Sequence, residues 1–525
     1  MRRERPPQGA IVGVFSAVFS GFMAAGLVMT HAAFGADELR VGVDANYAPG
    51  MEREGRQWRW DGVARDPFDG IAAAGVQSFR VRLWTSDEGP HGRREATAVT
   101  RRALAAGLEP YLVIFLSADW ADLMKQPAPA DWQELDVDGR AAAVRRYARE
   151  TVAHFRKAGL RSHVYEIGNE IDYGICGVYP GKGTKKNPES LRRRCWPDAA
   201  RIITAAQAGV LEADPEARFM LHIAHWWDAR FCIDFFRFMI DTGVRVDLAG
   251  LSYFPSAAIG GSLEMEQFGD VVTRLHEAVG LPVVVAETAY PASREFTGQF
   301  ARWKREAPGY PLTPEGQRRW LADFLAFCHH HPHIHEVFYW SPEWFGLGMW
   351  QAFALFDMDG EARPAWTACA VPPAGRPRPR RSVHVEIVDG TLRAVPVPEA
   401  RDAAAAALRE ELGRHGGMTT GYIDAITARG VRVAGYHIRL RATLTGILEL
   451  SADGPTDNPD WQIMVDALNP VDERLVVFIR NADDPLVEAV LARAADRGLE
   501  AVTHRVPADT PLRFGFTPVQ PVADP

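Results

Sequence analysis

Cysteine is scarce, with 5 in 525 residues, and none stands at the spacing of a metal-binding pair. That leaves no cysteine-ligated metal or densely stapled small scaffold. A charge excess of one sign is missing too. Lys and Arg number 59 against 67 Asp and Glu, a net charge of −8 with a pI near 6.1, so neither nucleic acid nor an anionic membrane surface is expected as a partner. Long apolar runs are absent but for one, Ala10 to Met29, preceded by Arg2, Arg3 and Arg5 and followed by small residues around Ala32, Ala33, Gly35 and Ala36. This is the pattern of a secretory signal, though the run also reaches the length of a membrane span. Residues 1–36 are therefore expected to be a signal peptide or an N-terminal anchor. The body of the chain should be secreted or periplasmic, meeting a membrane only if that segment stays uncleaved.

Export gives the few cysteines a meaning, because disulfides persist in oxidising compartments. Cys176 and Cys195 flank a polar, Lys/Arg-rich stretch without periodicity and are expected to staple one long loop. Cys232, Cys328 and Cys369 sit in apolar segments and read as small buried hydrophobes.

What the chain does have is a repeated unit. A helix ends in a small residue and Gly, and a short apolar run follows, in "AAGVQSFRVRLW", "AAGLEPYLVIFL", "KAGLRSHVYEIGNE", "DTGVRVDLAGLSYF" and "AVGLPVVVAET". Gly75, Gly107, Gly159, Gly243 and Gly280 fit left-handed helix C-caps, and the residues after them read as strands. With "RFMLHIAHW", an opening "LRVGVDAN" and a closing "EVFYW", eight strands alternate with helices. The expected fold is α/β, a (β/α)8 TIM barrel over residues 37–370. A Pro/Arg-rich linker, 371–382, leads to a smaller α/β or α+β domain, 383–525, in which "RLVVFIRNADDPLVEAVLARAADRGLEAVTHRV" reads as strand, helix, strand. No function is legible in that second domain.

Barrel enzymes carry their reactive groups at the C-terminal ends of the strands. Two glutamates fall there: Glu170, closing "HVYEIGNE", and Glu287, closing "VVVAET", 117 residues apart on the fourth and seventh strands. A pair of carboxylates facing across one mouth is what cleavage of a glycosidic bond requires. One donates a proton to the leaving oxygen, and the other attacks the anomeric carbon at a separation of about 5–5.5 Å or activates water at about 6.5–9.5 Å. Arg80 and Arg82 share parity on the second strand, so both can point into the barrel and at least one should reach Glu287.

The order of motifs carries a resemblance. "FRVRLW", "SADWADLMKQPAPADW", "IGNEID", "GLSYFP", "VVVAETAYP", "YPLTPEGQ", "YWSPEW" and "ALFDMDGEARPAW", spread from about residue 39 to 366, resemble the family-53 glycoside hydrolases. These are secreted endo-β-1,4-galactanases of a clan of retaining (β/α)8 enzymes. The resemblance implies hydrolysis of a β-linked polysaccharide, most simply galactan or arabinogalactan, by double displacement. It makes Glu170 the general acid/base, Glu287 the nucleophile, and Asn169 a partner of the sugar 2-hydroxyl. On the same footing Tyr253 is expected to donate a hydrogen bond beside Glu287, and Trp340 to form the platform under the sugar. Glu287, flanked by an arginine and a tyrosine hydroxyl, is expected to stay ionised while Glu170 holds its proton.

Around these, Trp120 and Asp119 after the third strand, His225 after the fifth and Asp44 on the first are expected to bind substrate. His222 and His225 are read as lining one polar pocket rather than holding a metal, and no cofactor is expected. "HHHPHIH", His329 to His335, reads as a solvated loop on the opposite side of the barrel. The chain departs from the family where "IDYGICGVYPGKGTKKNPESLRRRC" follows the acid/base and where Ser341 replaces the glutamate of the family's Tyr-Trp-Glu-Pro. Loops after strands set subsites, so another β-linked polysaccharide, or a barrel that binds without hydrolysing, stays open as an alternative. A monomer is expected. The basic residues of the insert, Lys182, Lys185, Lys186 and Arg192 to Arg194, would favour acidic substituents on the substrate.

Overall fold

The structure, a computed structural model of the chain, describes residues 39–162, 164–181, 183–257, 264–346, 348–370, 381–388, 391–394, 431–433, 436–442, 448–453, 461–466, 468, 470 and 473–505. The expected signal or anchor segment and most of the expected linker lie outside them.

Eight parallel strands close a barrel in the order expected. They are β1 (Arg40–Asp44), β2 (Ser78–Leu83), β3 (Glu109–Ile114), β4 (Val164–Ile167), β5 (Arg218–Ile223), β6 (Leu248–Tyr253), β7 (Val283–Thr288) and β8 (Ile334–Trp340). Each pairs with its neighbour in sequence, and β1 closes the ring on β8. The strands are buried on both faces, which is why they read as nearly continuous apolar runs. Around them run α1 (Pro67–Ala73), α2 (Arg93–Ala105), α3 (Val137–Lys157), α4 (Trp196–Ala213), α5 (Ala229–Asp241), α6 (Met265–Val279) and α7 (Pro314–His330).

Local chemistry sets the helix ends. Asp66, Asp136, Asp228 and Thr313 cap α1, α3, α5 and α7 by accepting first-turn N–H groups, with proline opening α1 and α7. The five junction glycines all have positive φ, between 73° and 94°, as the C-cap reading requires. Among the described residues no helix is long and apolar enough to cross a membrane.

Alternation along each strand separates two cores. Phe79, Val81, Leu83, Tyr165, Ile167, Phe219, Leu221, Ala249, Leu251, Val283 and Val285 join the large core between strands and helices. The intervening residues line the barrel's inside. Its lower part is packed solid: Tyr111 donates to Glu336 and lies edge-on to Phe338, and the ring of Phe338 occupies the place a side chain at Gly42 would take. The histidines of "HHHPHIH" are less solvated than expected, since His333 stacks on His276 of α6 at 3.8 Å and His331 is half-buried beside it.

Beyond the barrel, the strand, helix and strand expected at Glu473–Ile479, Pro485–Asp496 and Ala501–Arg505 form a parallel unit with its own apolar core. The strand Arg381–Val388 pairs parallel to the first of these, so the expected linker ends two residues early.

Candidate active site

The upper half of the barrel interior holds a dense charged cluster centred on Arg80. This guanidinium is fully buried. It donates to Glu166 at 2.7 and 2.5 Å, to Asp44 at 2.8 Å, to Asn169 Oδ1 at 2.7 Å and to Glu287 Oε1 at 2.7 Å. An unpaired charge cannot be carried into such a place, so the arginine and its three carboxylates are mutually required. Arg82, two residues on, pairs with Asp44 at 2.6 Å and donates to Ser341 Oγ at 3.0 Å. Its guanidinium lies over the rings of Tyr47, Trp120 and Trp340 at 4.8, 5.1 and 5.2 Å.

Glu287 enters this cluster through an irregularity. Val283 and Val285 face the helices, so strict alternation would send residue 287 outward as well. Instead Leu251 pairs with Val285 and Ser252 with Glu287, so Ala286 is one extra residue, a bulge that turns Glu287 into the barrel. The shift against β8, where Val337 pairs with Val285 and Tyr339 with Thr288, has the same origin.

Glu170 reaches the mouth differently. β4 ends at Ile167, Gly168 turns the chain at φ 79°, and Glu170 itself has φ 46°, a conformation most side chains avoid. A side chain at Gly168 would also collide with Ile171 and Ile175. Glu170 accepts from Ser252 Oγ at 2.7 Å and from the Leu123 N–H at 3.3 Å. Ser252 Oγ also lies 2.9 Å from His222 Nε2, and His222 Nδ1 faces Glu166 and Arg80.

The two glutamates sit in unlike fields. Burial and the nearby charges of Glu287, Asp122 and Asp172 hold the Glu170 carboxyl well above the usual carboxylate range, and the Ser252 hydroxyl offsets only part of this. Glu287 is also pushed up by burial, but Arg80, His222 and Arg82 pull it back. It is therefore less plainly ionised than expected, yet it is the more acidic of the two. Glu166, despite its burial, is held low by Arg80 and His222.

Residues 40–369 match the sequence profile of glycosyl hydrolase family 53. The chain belongs to glycosyl hydrolase family 53. It is similar to the arabinogalactan endo-β-1,4-galactanase of Thermothelomyces thermophilus, 24% identical over 58% of this chain and 89% of that protein. The Cellvibrio japonicus enzyme of the same name is 26% identical over 60% of this chain and 86% of its own. Among solved structures, a fungal β-1,4-galactanase aligns with TM-score 0.55 at 23% identity, covering 63% of this chain and 98% of that one. The family-53 catalytic domain of Ignisphaera aggregans gives TM-score 0.55 at 24% identity, over 64% and 97%. The chain is an O-glycoside hydrolase.

Several expectations need correcting for this family-53 hydrolase. Tyr253 does not stand beside Glu287. It shares parity with Ala249 and Leu251, is fully buried, and stacks on Phe268 of α6 at 4.3 Å. The inward residue is Ser252, which sequence reasoning passed over. Cys176 and Cys195 are both buried free thiols, so the expected staple is not formed. Each packs into the large apolar core, Cys176 in the loop after β4 and Cys195 between α4 and the short helix Pro188–Arg194. Burial pushes the Cys176 thiol up to about 12.

His222 and His225 do not share a pocket. They are three residues apart, and only His222 is on the strand. His225, in the loop after β5, pairs with Asp172 at 2.6 Å and stacks on Phe231 at 3.8 Å. Asp119 is mostly exposed and pairs with Lys125 at 2.9 Å, away from the charged cluster. Trp120 and Trp340 do meet, 5.9 Å apart beside Arg82, and Trp340 is 5% exposed. Tyr47, stacked on Trp344 at 4.0 Å, completes this aromatic wall.

Glu166, Tyr47, Gln126 and Glu343 were also missed. Glu166 had a signal, a charged residue inside a strand with no exposed face. Gln126, which holds the Asn169 carbonyl at 2.8 Å, and Glu343, which accepts from the Tyr47 N–H at 2.7 Å, come from loops and had none.

Proposed function

We propose that this hydrolase cleaves β-1,4-linked galactan by double displacement, with Glu170 as general acid/base and Glu287 as nucleophile. The observation that carries the assignment is the asymmetry between the two carboxyls. Glu287 receives a charged hydrogen bond from Arg80 at 2.7 Å, whereas Glu170 receives only a hydroxyl and a backbone N–H. The group beside the cation gives up its proton first and can attack. The group without one keeps a proton for the leaving oxygen. The partner of the sugar 2-hydroxyl in this reading is Asn169, whose amide accepts from Arg80 and donates to the Ala121 carbonyl at 2.9 Å. Trp340 and Trp120 offer ring faces for the pyranose. The choice of galactan rests on the galactanase relatives.

The test is reducing-end release from galactan, arabinogalactan, mannan and β-glucan, with the anomer of the first product followed by NMR. Release from galactan with a β-anomeric product is expected. An α-anomeric first product overturns double displacement, and turnover confined to mannan or β-glucan overturns the substrate. Export rests on the Arg-flanked apolar run from Ala10 to Met29. Recovery of the protein only from the cytoplasm would refute it.

A further inference from the structure

The loop after β4 was read as a uniformly basic border, and the structure breaks that uniformity. Arg192 is neutralised by Asp234 at 2.8 Å and Arg193 by Glu189 at 2.5 Å. Lys182 lies outside the described residues. Lys186 is exposed, as are Lys185 and Arg194, and among the described residues no carboxylate lies within ion-pair distance of it. Its ammonium is nonetheless held in place, 4.4 Å from the ring centre of Tyr173 and 4.9 Å from that of Tyr179, with Nζ donating to the Tyr179 hydroxyl at 2.8 Å. Two ring faces and a neutral phenol orient a cation without cancelling its charge. One of its three N–H donors is used by the phenol, and the others are left for a ligand.

The position of this cation connects it to the reaction. The Tyr179 hydroxyl donates to the Leu123 carbonyl at 2.8 Å, and the Leu123 N–H donates to Glu170 at 3.3 Å. Lys186 thus stands one short hydrogen-bonded path from the proposed general acid. A general acid protonates the oxygen that departs with the aglycone. The wall continuing from Glu170 through Leu123 and Tyr179 therefore flanks the departing part of the polysaccharide.

We infer that Lys186 is a specificity residue for an acidic sugar, pairing with the carboxylate of a uronate on the leaving-group side of the cleavage point. The inference rests on the assignment of Glu170 as the acid and goes beyond a neutral galactan substrate. The aromatic clamp lowers the entropy cost of fixing a lysine, so its pairing is worth more than that of a free surface side chain.

The experiment compares two β-1,4-galacto-oligosaccharides of equal length, one neutral and one ending in a galacturonate at its reducing end. Wild type, Lys186→Met and Lys186→Arg are assayed at low and high salt. Methionine keeps the stem over the tyrosines and removes the charge, while arginine restores the charge. Wild type should favour the acidic oligosaccharide by about fivefold in kcat/KM at low salt, and high salt should erase the preference. Lys186→Met should lose it and Lys186→Arg keep it.

Equal rates on both oligosaccharides in wild type, or equal losses on both in Lys186→Met, overturn the inference, the second because it would show only a structural clamp. Calorimetric binding to the Glu287→Gln protein separates this from the substrate proposal. Lys186-dependent binding of the acidic oligosaccharide to Glu287→Gln, together with a wild type that leaves galactan intact, refutes the galactan reading and supports the charge preference.

Discussion

At the scale of single residues, the site is a division of labour between two carboxyls. Glu287→Ala should abolish turnover on every glycoside. Glu170→Ala should lower kcat on galactan by about 10²- to 10⁴-fold, while an aryl galactoside with a good leaving group keeps its first step, since little protonation is needed. Equal losses on both substrates in Glu170→Ala would remove its role as acid. Glu170 works protonated and its value is raised, so activity is retained below that value and lost as pH rises through it. The alkaline limb of kcat should lie well above pH 4.5, the ordinary value of a glutamate. Glu343 obeys the same sign for stability. It is fully buried, Oε2 has no partner among the described residues, and burial raises it from 4.5 to about 8. Its contribution is whole below pH 4.5 and lost as pH climbs toward 8. Melting curves between pH 5 and 9 should show a decline that Glu343→Gln flattens, because the amide keeps an acceptor for Tyr47 and cannot ionise.

At the scale of elements, the decisive feature is the bulge in β7. Deleting Ala286 would leave Glu287 directly after outward-facing Val285, so regular alternation would still point it inward, opposite Ser252. The variant should fold with near-native circular dichroism and keep turnover, and a folded variant without turnover would show that the bulge does more than correct the alternation. On β6 the opposite holds. Tyr253→Phe should cost about 1 kcal/mol in denaturant unfolding and leave kcat within about twofold, because the ring faces α6 and not the sugar. A large loss of kcat would return Tyr253 to the site. The strands, their order and the junction glycines were legible because burial and capping are local or periodic signals. The bulge was not, because one extra residue in a run of "VVVAET" alters pairing without altering composition.

At the scale of the whole molecule, the charged cluster links four strands through Arg80, from β1 by Asp44, β4 by Glu166 and β7 by Glu287. Arg80→Met would leave these carboxylates buried without their cation. Unfolding by denaturant should show a loss of about 3–5 kcal/mol, beyond any effect on turnover. The C-terminal unit meets the barrel through charges: Arg474 reaches Asp323 at 3.3 Å and lies over Tyr310 at 4.3 Å, and Arg319 pairs with Glu500 at 2.5 Å. Among the described residues, none of this unit joins the barrel's apolar core.

The amino-acid sequence by itself determined the eightfold alternation, the family and the strand ends where Glu170 and Glu287 stand, because these follow from periodicity, capping and motif order along the chain. Only the tertiary structure decided which side chains converge. Glu166, Ser252, His222 and Gln126 surround the two glutamates from four separate segments, and Tyr253 faces the helix layer because of its parity on β6. It likewise left Cys176 and Cys195 as separate buried thiols and singled out Lys186 from a basic run. Pairing between side chains depends on distance in space, and distance between segments is set when the barrel closes.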